Sequence, residues 1–259
     1  MVKLTTNPTH SIGWVDFAAS DLDASKEFYA GLFGWTYFQD DDNPYLVCMV
    51  DESPVAGMMA LTPEMGDMPP GWSVYVPVEN LEASIKVSTD AGGMVYQPPF
   101  EVDADLRMAV IGDPRGGAIC LFEGLGDSGL KLQDEVGASC WYDCLSRDVP
   151  GAVEFYSKLF GWTTEEVPMG DDGVYTIFSR EGEQTCGIVT MPDQVPEEVP
   201  SHWIVNFSVA DVDIAAKYVT DNGGTITMPA VDTPYGRRGG LMDPWGAPLN
   251  VMDRSRAAQ

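Results

Sequence analysis

The chain states one pattern twice. Trp14-Val15-Asp16 returns 127 residues later as Trp141-Tyr142-Asp143. The same offset carries Asp21 onto Asp148 and Phe28-Tyr29 onto Phe155-Tyr156. It also carries Leu32-Phe33-Gly34-Trp35-Thr36 onto Leu159-Phe160-Gly161-Trp162-Thr163. Further on the offset becomes 131, for Trp72/Trp203, Lys86/Lys217 and Gly92-Gly93/Gly223-Gly224. It settles at 130 for Arg107/Arg237, Asp113-Pro114/Asp243-Pro244 and Gly116/Gly246. A period this long exceeds any solenoid repeat, so each copy is expected to be a domain. The expected boundaries are 1–124 and 138–259, with 125–137 as a linker that is glycine-bearing and mostly polar.

Each half contains a fainter repeat. Asp21-Leu22-Asp23-Ala24-Ser25 resembles Asn80-Leu81-Glu82-Ala83-Ser84, and Asp148-Val149 with Ala152 resembles Asp211-Val212 with Ala215. Asp or Asn before such a run is a helix N-terminus signal. Ser25, Phe28, Tyr29 and Leu32 then fall on one helical face, and Gly34 ends the helix as Gly161 ends its copy. The quarters 10–66, 70–124, 138–191 and 200–254 each read as β-α-β-β-β, an α+β fold.

Composition limits the function classes. In 259 residues, 44% hydrophobic content suffices for two cores. A net charge of −26 argues against nucleic acid and anionic membranes as partners. No apolar run reaches the ~18 residues of a membrane span. Five cysteines, an odd count in a long chain, fit reduced thiols and a cytoplasmic location. Because the duplication supplies an internal partner for each half, a monomer is expected.

Four β-α-β-β-β units with Asp-Leu after the first strand, Phe-Tyr…Leu-Phe-Gly-Trp on the first helix and Asp-Pro-x-Gly before the last strand resemble the vicinal oxygen chelate superfamily. That group includes glyoxalase I, bleomycin-resistance proteins, fosfomycin-resistance enzymes and extradiol dioxygenases. The doubled Trp-x-Asp is most similar to its double-domain actinobacterial branch, labelled glyoxalase-like or hydroxylase. The resemblance implies two units pairing into one curved sheet around a cleft, with helices outside. It also implies metal ligands on first strands, seven residues before the Asp of Asp-Leu. Here those positions hold Trp14, Ser73, Trp141 and Ile204, none a histidine or carboxylate. Glu123 and Asp253 alone remain as hard-cation ligands, too few for zinc or an iron facial triad. His10 and His202 stand in separate halves and off the ligand positions. No metal and no cofactor are therefore expected.

Strand alternation assigns the faces. With the ligand position facing the cleft, the N-terminal half places Trp14, Asp16, Ser73, Tyr75, Leu121 and Glu123 there. The C-terminal half places Trp141, Asp143, Ile204, Asn206, Val251 and Asp253 there. Trp14 and Trp141 are either aromatic walls for a flat ligand or plugs that fill their clefts. Asp16 and Asp143, with Glu123 and Asp253, are the candidate proton-transfer groups; the structural reading makes them hydrogen-bond anchors. Arg107 and Arg237 either meet a ligand anion or pair with Glu123 and Asp253.

The expected function is binding of a small organic molecule without metal. An isomerase, lyase, cyclase or hydroxylase-like activity, a drug- or metabolite-sequestering role, and a metal-dependent glyoxalase or dioxygenase with displaced ligands all stay open.

Overall fold

The computed structural model describes residues 2–4, 7–40, 43–66, 68–124, 129–169 and 173–257. A short strand β1 (Val2–Lys3) precedes the first repeat. The first quarter runs β2 (Trp14–Ala19), α1 (Leu22–Phe33), β3 (Thr36–Gln39), β4 (Leu46–Val50) and β5 (Ser53–Ala60). The second runs β6 (Gly71–Pro77), α2 (Leu81–Asp90), β7 (Met94–Glu101), β8 (Arg107–Gly112) and β9 (Ala118–Glu123). After β10 (Leu132–Gln133), the third quarter is β11 (Ser139–Ser146), α3 (Val149–Phe160), β12 (Thr163–Pro168), β13 (Val174–Arg180) and β14 (Glu183–Thr190). The fourth is β15 (His202–Ser208), α4 (Val212–Asp221), β16 (Thr225–Thr233), β17 (Gly236–Met242) and β18 (Pro248–Asp253). All four quarters are β-α-β-β-β, as the repeat predicts.

Each half builds one eight-stranded sheet. The orders are β3-β4-β5-β2-β6-β9-β8-β7 and β12-β13-β14-β11-β15-β18-β17-β16. The first strands of two quarters pair antiparallel at the centre, β2 with β6 and β11 with β15. The sequence sets the helix ends locally. Asp21, Asn80, Asp148 and Asp211 each accept a backbone N–H from the first helical turn. Gly34 and Gly161 close α1 and α3 at φ 72 and 70, where a side chain would be strained.

The helices lie on the face away from the cleft, and the two halves share them. One buried cluster runs from Val15, Phe17 and Tyr29 to Phe155, Trp203 and Phe207. Phe33 and Trp72 both pack against Phe207 with tilted rings, centroids 4.7 and 4.8 Å apart. Two reciprocal hydrogen bonds cross between halves. Tyr29 Oη donates to Asp243 Oδ2 at 2.9 Å, and Tyr156 Oη donates to Asp113 Oδ2 at 3.1 Å. The repeated Phe-Tyr and Asp-Pro motifs are thus the two ends of one contact, made twice. Trp35 and Trp162 repeat the theme, donating to the carbonyls of Gly137 and His10.

The segment between the sheets is more than a polar connector. Leu130 and Leu132 are buried, and β10 pairs with β1. Residues 125–128 of the expected linker lie outside the described residues.

Candidate functional site

At the centre of the first sheet, Asp16 sits between Ser73 on β6 and Gly57 on β5. The carboxylate is buried, with 5% exposure. Trp14 Nε1 donates to its Oδ1 at 2.7 Å. Tyr45 Oη, which precedes β4, donates to the same oxygen at 2.5 Å and accepts from Trp14 Nε1 at 2.7 Å. Tyr75, opposite Trp14, lies on the same face beside this carboxylate. A Cβ at Gly57 would lie 1.7 Å from Tyr45 Oη and 2.0 Å from Asp16 Oδ1, so any side chain there would displace one of them.

The second sheet repeats the cluster. Trp141 Nε1 donates to Tyr175 Oη at 2.6 Å, and Tyr175 Oη donates to Asp143 Oδ1. Gly187 again makes room, with a Cβ placed 1.9 Å from Tyr175 Oη. Asn206 replaces Tyr75 and donates from Nδ2 to Asp143 Oδ2 at 2.9 Å. The structure therefore brings Trp14 with Asp16 and Trp141 with Asp143, and adds Tyr45 and Tyr175. Both tyrosines and both glycines stand at the offset of 130, so the repeat carried a signal for them.

Burial raises the Asp16 pKa, and the bonds from Tyr45 and Trp14, with Tyr75 beside them, offset only part of that rise. The native state therefore holds this proton more tightly than the unfolded chain. Asp16 contributes stability that is full below the unfolded value, about 3.9, and lost as pH rises through the folded value. Asp16→Asn lacks this component. Its stability relative to wild type is expected to improve as pH rises above about 4, by about 1.4 kcal/mol per unit of elevation. Urea unfolding at a series of pH values checks this; a pH-independent difference would remove the buried-carboxylate argument.

The last strands correct the expected faces. Tyr75 aligns with Cys120 and Val76 with Leu121. Asn206 aligns with Asn250, and Phe207 with Val251. The cleft therefore receives Cys120 and Phe122 in one half and Asn250 and Met252 in the other. Leu121 and Val251 lie in the helix-covered core. Glu123 Oε2 accepts the Leu81 N–H at 2.8 Å, at the start of α2, while Asp253 caps the terminal turn at Ser255. Arg107 pairs with Glu82 at 2.5 Å and Glu123 at 3.4 Å. Arg237 pairs with Asp213 and Asp232, at 2.9 and 3.3 Å, rather than with Asp253. Ser73 is half-buried opposite Asp16, and Ile204 is buried opposite Asp143.

This donor set does not fit a transition metal. The cleft offers Asp16, Ser73 and Cys120 in one half and Asp143, Asn206 and Asn250 in the other, and both carboxylates are taken up by protein donors. Burial pushes the Cys120 thiol up to about 12, so it stays protonated. Among the described residues no three His, Cys, Asp or Glu side chains cluster as ligands. His10 packs on Phe160, and His202 Nδ1 meets the Pro200 carbonyl at 3.0 Å. All five cysteines are free and buried. A hollow of about 610 Å³ opens beside Trp141, between Pro8, Ile12 and Gln184. Its arginines are already engaged, Arg180 with Glu181 and Arg254 with Asp134.

Residues 141–251 match the Glyoxalase/Bleomycin resistance protein/Dioxygenase superfamily, and residues 14–122 match the Glyoxalase-like domain. The protein of Mycobacterium tuberculosis named "Putative glyoxylase CFP32" is 32% identical over 92% of this chain and 93% of its own length. The anthracycline biosynthesis protein DauV of Streptomyces sp. is 30% identical over 94% of this chain and 93% of its own. In fold, the chain is similar to the Mn(II)-bound glyoxalase from Novosphingobium aromaticivorans. That likeness has a TM-score of 0.63 and 14% identity, covering 97% of this chain and 86% of that one. A trihydroxybiphenyl 1,2-dioxygenase from Sphingomonas wittichii gives 0.65 at 12% identity, over 95% and 91%. With two matching domains and full-length relatives, the chain belongs to the glyoxalase/bleomycin resistance protein/dioxygenase superfamily.

Proposed function

We propose that the chain binds a flat, partly aromatic small molecule in its clefts, without a transition metal, as a sequestering or carrier protein. One observation carries this reading. In each half an indole, a tyrosine and a buried aspartate lock one another at the cleft face. Rigid aromatic walls with few polar groups suit such a ligand. In the N-terminal cleft Tyr75, Cys120 and Phe122 extend the wall beside Trp14, Met108 and Val110. The name of DauV places that relative in anthracycline biosynthesis, and a polycyclic aromatic molecule is compatible with this wall. Each aspartate takes its hydrogen bonds from fixed protein donors, which favours an anchoring role over proton transfer. Burial of all five thiols fits a reducing cytoplasm, and the internal duplication fits a monomer.

A second reading rests on Asp16 itself. Its raised pKa and its bond to Tyr45 Oη supply a general base and a relay, as an isomerase, lyase, cyclase or hydroxylase-like enzyme needs. For a metal-dependent glyoxalase or dioxygenase chemistry, no ligand cluster stands in either cleft among the described residues.

Titration with an anthracycline aglycone tests the reading. Indole fluorescence is expected to change, and Trp14→Phe to weaken binding by about 0.5–1.5 kcal/mol. Elemental analysis of protein purified without chelator should find well below one zinc, iron, nickel or manganese per chain. A full metal equivalent whose removal abolishes binding would overturn the proposal. Turnover of the bound molecule that Asp16→Asn abolishes, with binding retained, would establish the enzyme instead.

A further inference from the structure

The duplication provides an internal control, because each cleft residue has a counterpart in the other half. Tyr75 corresponds to Asn206, Cys120 to Asn250 and Met108 to Arg238. Three apolar or weakly polar positions on one wall have become two amides and a guanidinium. Registers place them together. Asn206 is level with Asn250, Asn250 with Gly240, and Arg238 stands two residues along β17 from Gly240, beside Met252. The neighbours of Arg238 settle its face. Arg237 pairs with Asp213 at the start of α4, and a Cβ on Gly239 would meet Val212 of the same helix. Arg238 therefore points the other way, into the cleft.

Two atoms on this wall are buried without a partner, Asn206 Oδ1 and Arg238 Nε. Asn206 is wholly buried. Its Nδ2 is committed to Asp143 and to the Trp141 carbonyl, which leaves Oδ1 as a free acceptor. Arg238 is half-buried and has no ion pair among the described residues, in a chain with 40 Asp and Glu. Every other arginine has an acceptor. Arg107, Arg115, Arg180, Arg237, Arg254 and Arg256 meet carboxylates, and Arg147 meets backbone carbonyls. Leaving buried donors and acceptors unmet is costly, so such groups ordinarily have partners.

We infer that the C-terminal cleft is an anion subsite, which takes a small organic carboxylate carrying a hydroxyl or amine donor. Arg238 receives the carboxylate, Asn250 flanks it, and Asn206 Oδ1 accepts from the donor group. Asn206 lies two strand spacings from β17, roughly 10 Å, so the two ends of the molecule are separated by about one aromatic ring. Trp141, level with Asn206 on β11, supplies the face against which that ring lies. The N-terminal cleft has Met108, Cys120 and Tyr75 at the corresponding positions, without a cation there, and takes neutral ligands. This assignment rests on the proposal that the clefts bind small molecules.

Calorimetric titration with 4-aminobenzoate, benzoate and ethyl 4-aminobenzoate tests it on the full chain. The expected result is one 4-aminobenzoate per chain, bound at least roughly tenfold more tightly than its ethyl ester or than benzoate. Arg238→Met, which installs the residue of the other half, should erase the preference over the ester and leave ester affinity unchanged. Arg238→Gln, which keeps much of the side-chain stem, should do the same if Arg238→Met folds poorly by thermal melting. Equal affinity for acid and ester, or undiminished acid binding in a folded Arg238 variant, overturns the anion subsite and spares small-molecule binding. No binding of any of the three overturns both.

Discussion

Asp243→Ala is expected to destabilise the protein by about 3–4 kcal/mol, at the upper end for a single substitution. The carboxylate is 3% exposed and carries two kinds of bond. Oδ1 accepts the N–H groups of Trp245 and Ala247, at 3.0 and 2.8 Å, which fixes the turn before β18. Oδ2 accepts Tyr29 Oη from the opposite half. Truncation leaves three donors unpartnered in or near the core, each costing about 1–3 kcal/mol, with partial relaxation. Burial raises the Asp243 pKa, so part of that loss is offset by relief of desolvation at neutral pH. Tyr29→Phe removes one donor and also strips Trp72 Nε1 of its acceptor at 3.2 Å. It should therefore cost less, about 1–2 kcal/mol. Urea unfolding of both variants and of Asp113→Ala, the symmetric partner, measures the pair. A loss below about 1 kcal/mol in both aspartate variants would mean that the inter-half latch is dispensable.

This latch shows how far the sequence could be read. Asp-Pro and Phe-Tyr were visible as repeated motifs, and the fold followed from their order. Their pairing across halves was not visible, because Tyr29 and Asp243 are separated by 214 residues and nothing local marks the contact. Tyr29 reads as core from its helical face, which is correct as far as burial goes. The clefts were harder. On β2 and β11 the Trp-x-Asp alternation has polar contrast, and its phase could be read. On β9 the run Ile119-Cys120-Leu121-Phe122 is apolar at every position, so alternation has no contrast to fix its phase. Glu123, polar at the end of that run, suggests the opposite phase. The actual phase is set by parallel pairing with β6, a tertiary fact. Tyr45 and Tyr175 carry no facial signal for a different reason. Each sits beside a turn, Asn43-Pro44 in one half and Gly173 in the other, where periodicity gives no face at all.

The glycines beneath the clusters give the sharpest test of whether those clusters are built parts of the clefts. Gly57→Ala is expected to destabilise the protein by about 2–4 kcal/mol, although alanine suits a strand at least as well as glycine. Its Cβ would stand 1.7 Å from Tyr45 Oη, 2.4 Å from Tyr45 Cζ and 2.0 Å from Asp16 Oδ1. Tyr45 is half-buried and has room to swing outwards, which is the cheapest escape. That motion removes one donor from the buried Asp16 carboxylate and the acceptor from Trp14 Nε1. A lost bond to a charged group costs about 1.5–3 kcal/mol, and crowding adds to it. A coupling between the two positions is expected. If Tyr45 is what excludes the methyl group, the loss in Tyr45→Ala/Gly57→Ala should fall short of the sum of the single losses by at least about 1 kcal/mol. Additive losses would mean that Gly57 is kept for the strand alone and that the cluster does not shape it. The same cycle on Tyr175 and Gly187 should give the same sign, because the Cβ there lies 1.9 Å from Tyr175 Oη. Ligand titration of Gly57→Ala then separates architecture from recognition. With Tyr45 displaced and Trp14 released, affinity for a flat ligand should fall in the N-terminal cleft while the Arg238-dependent carboxylate binding in the other cleft stays intact.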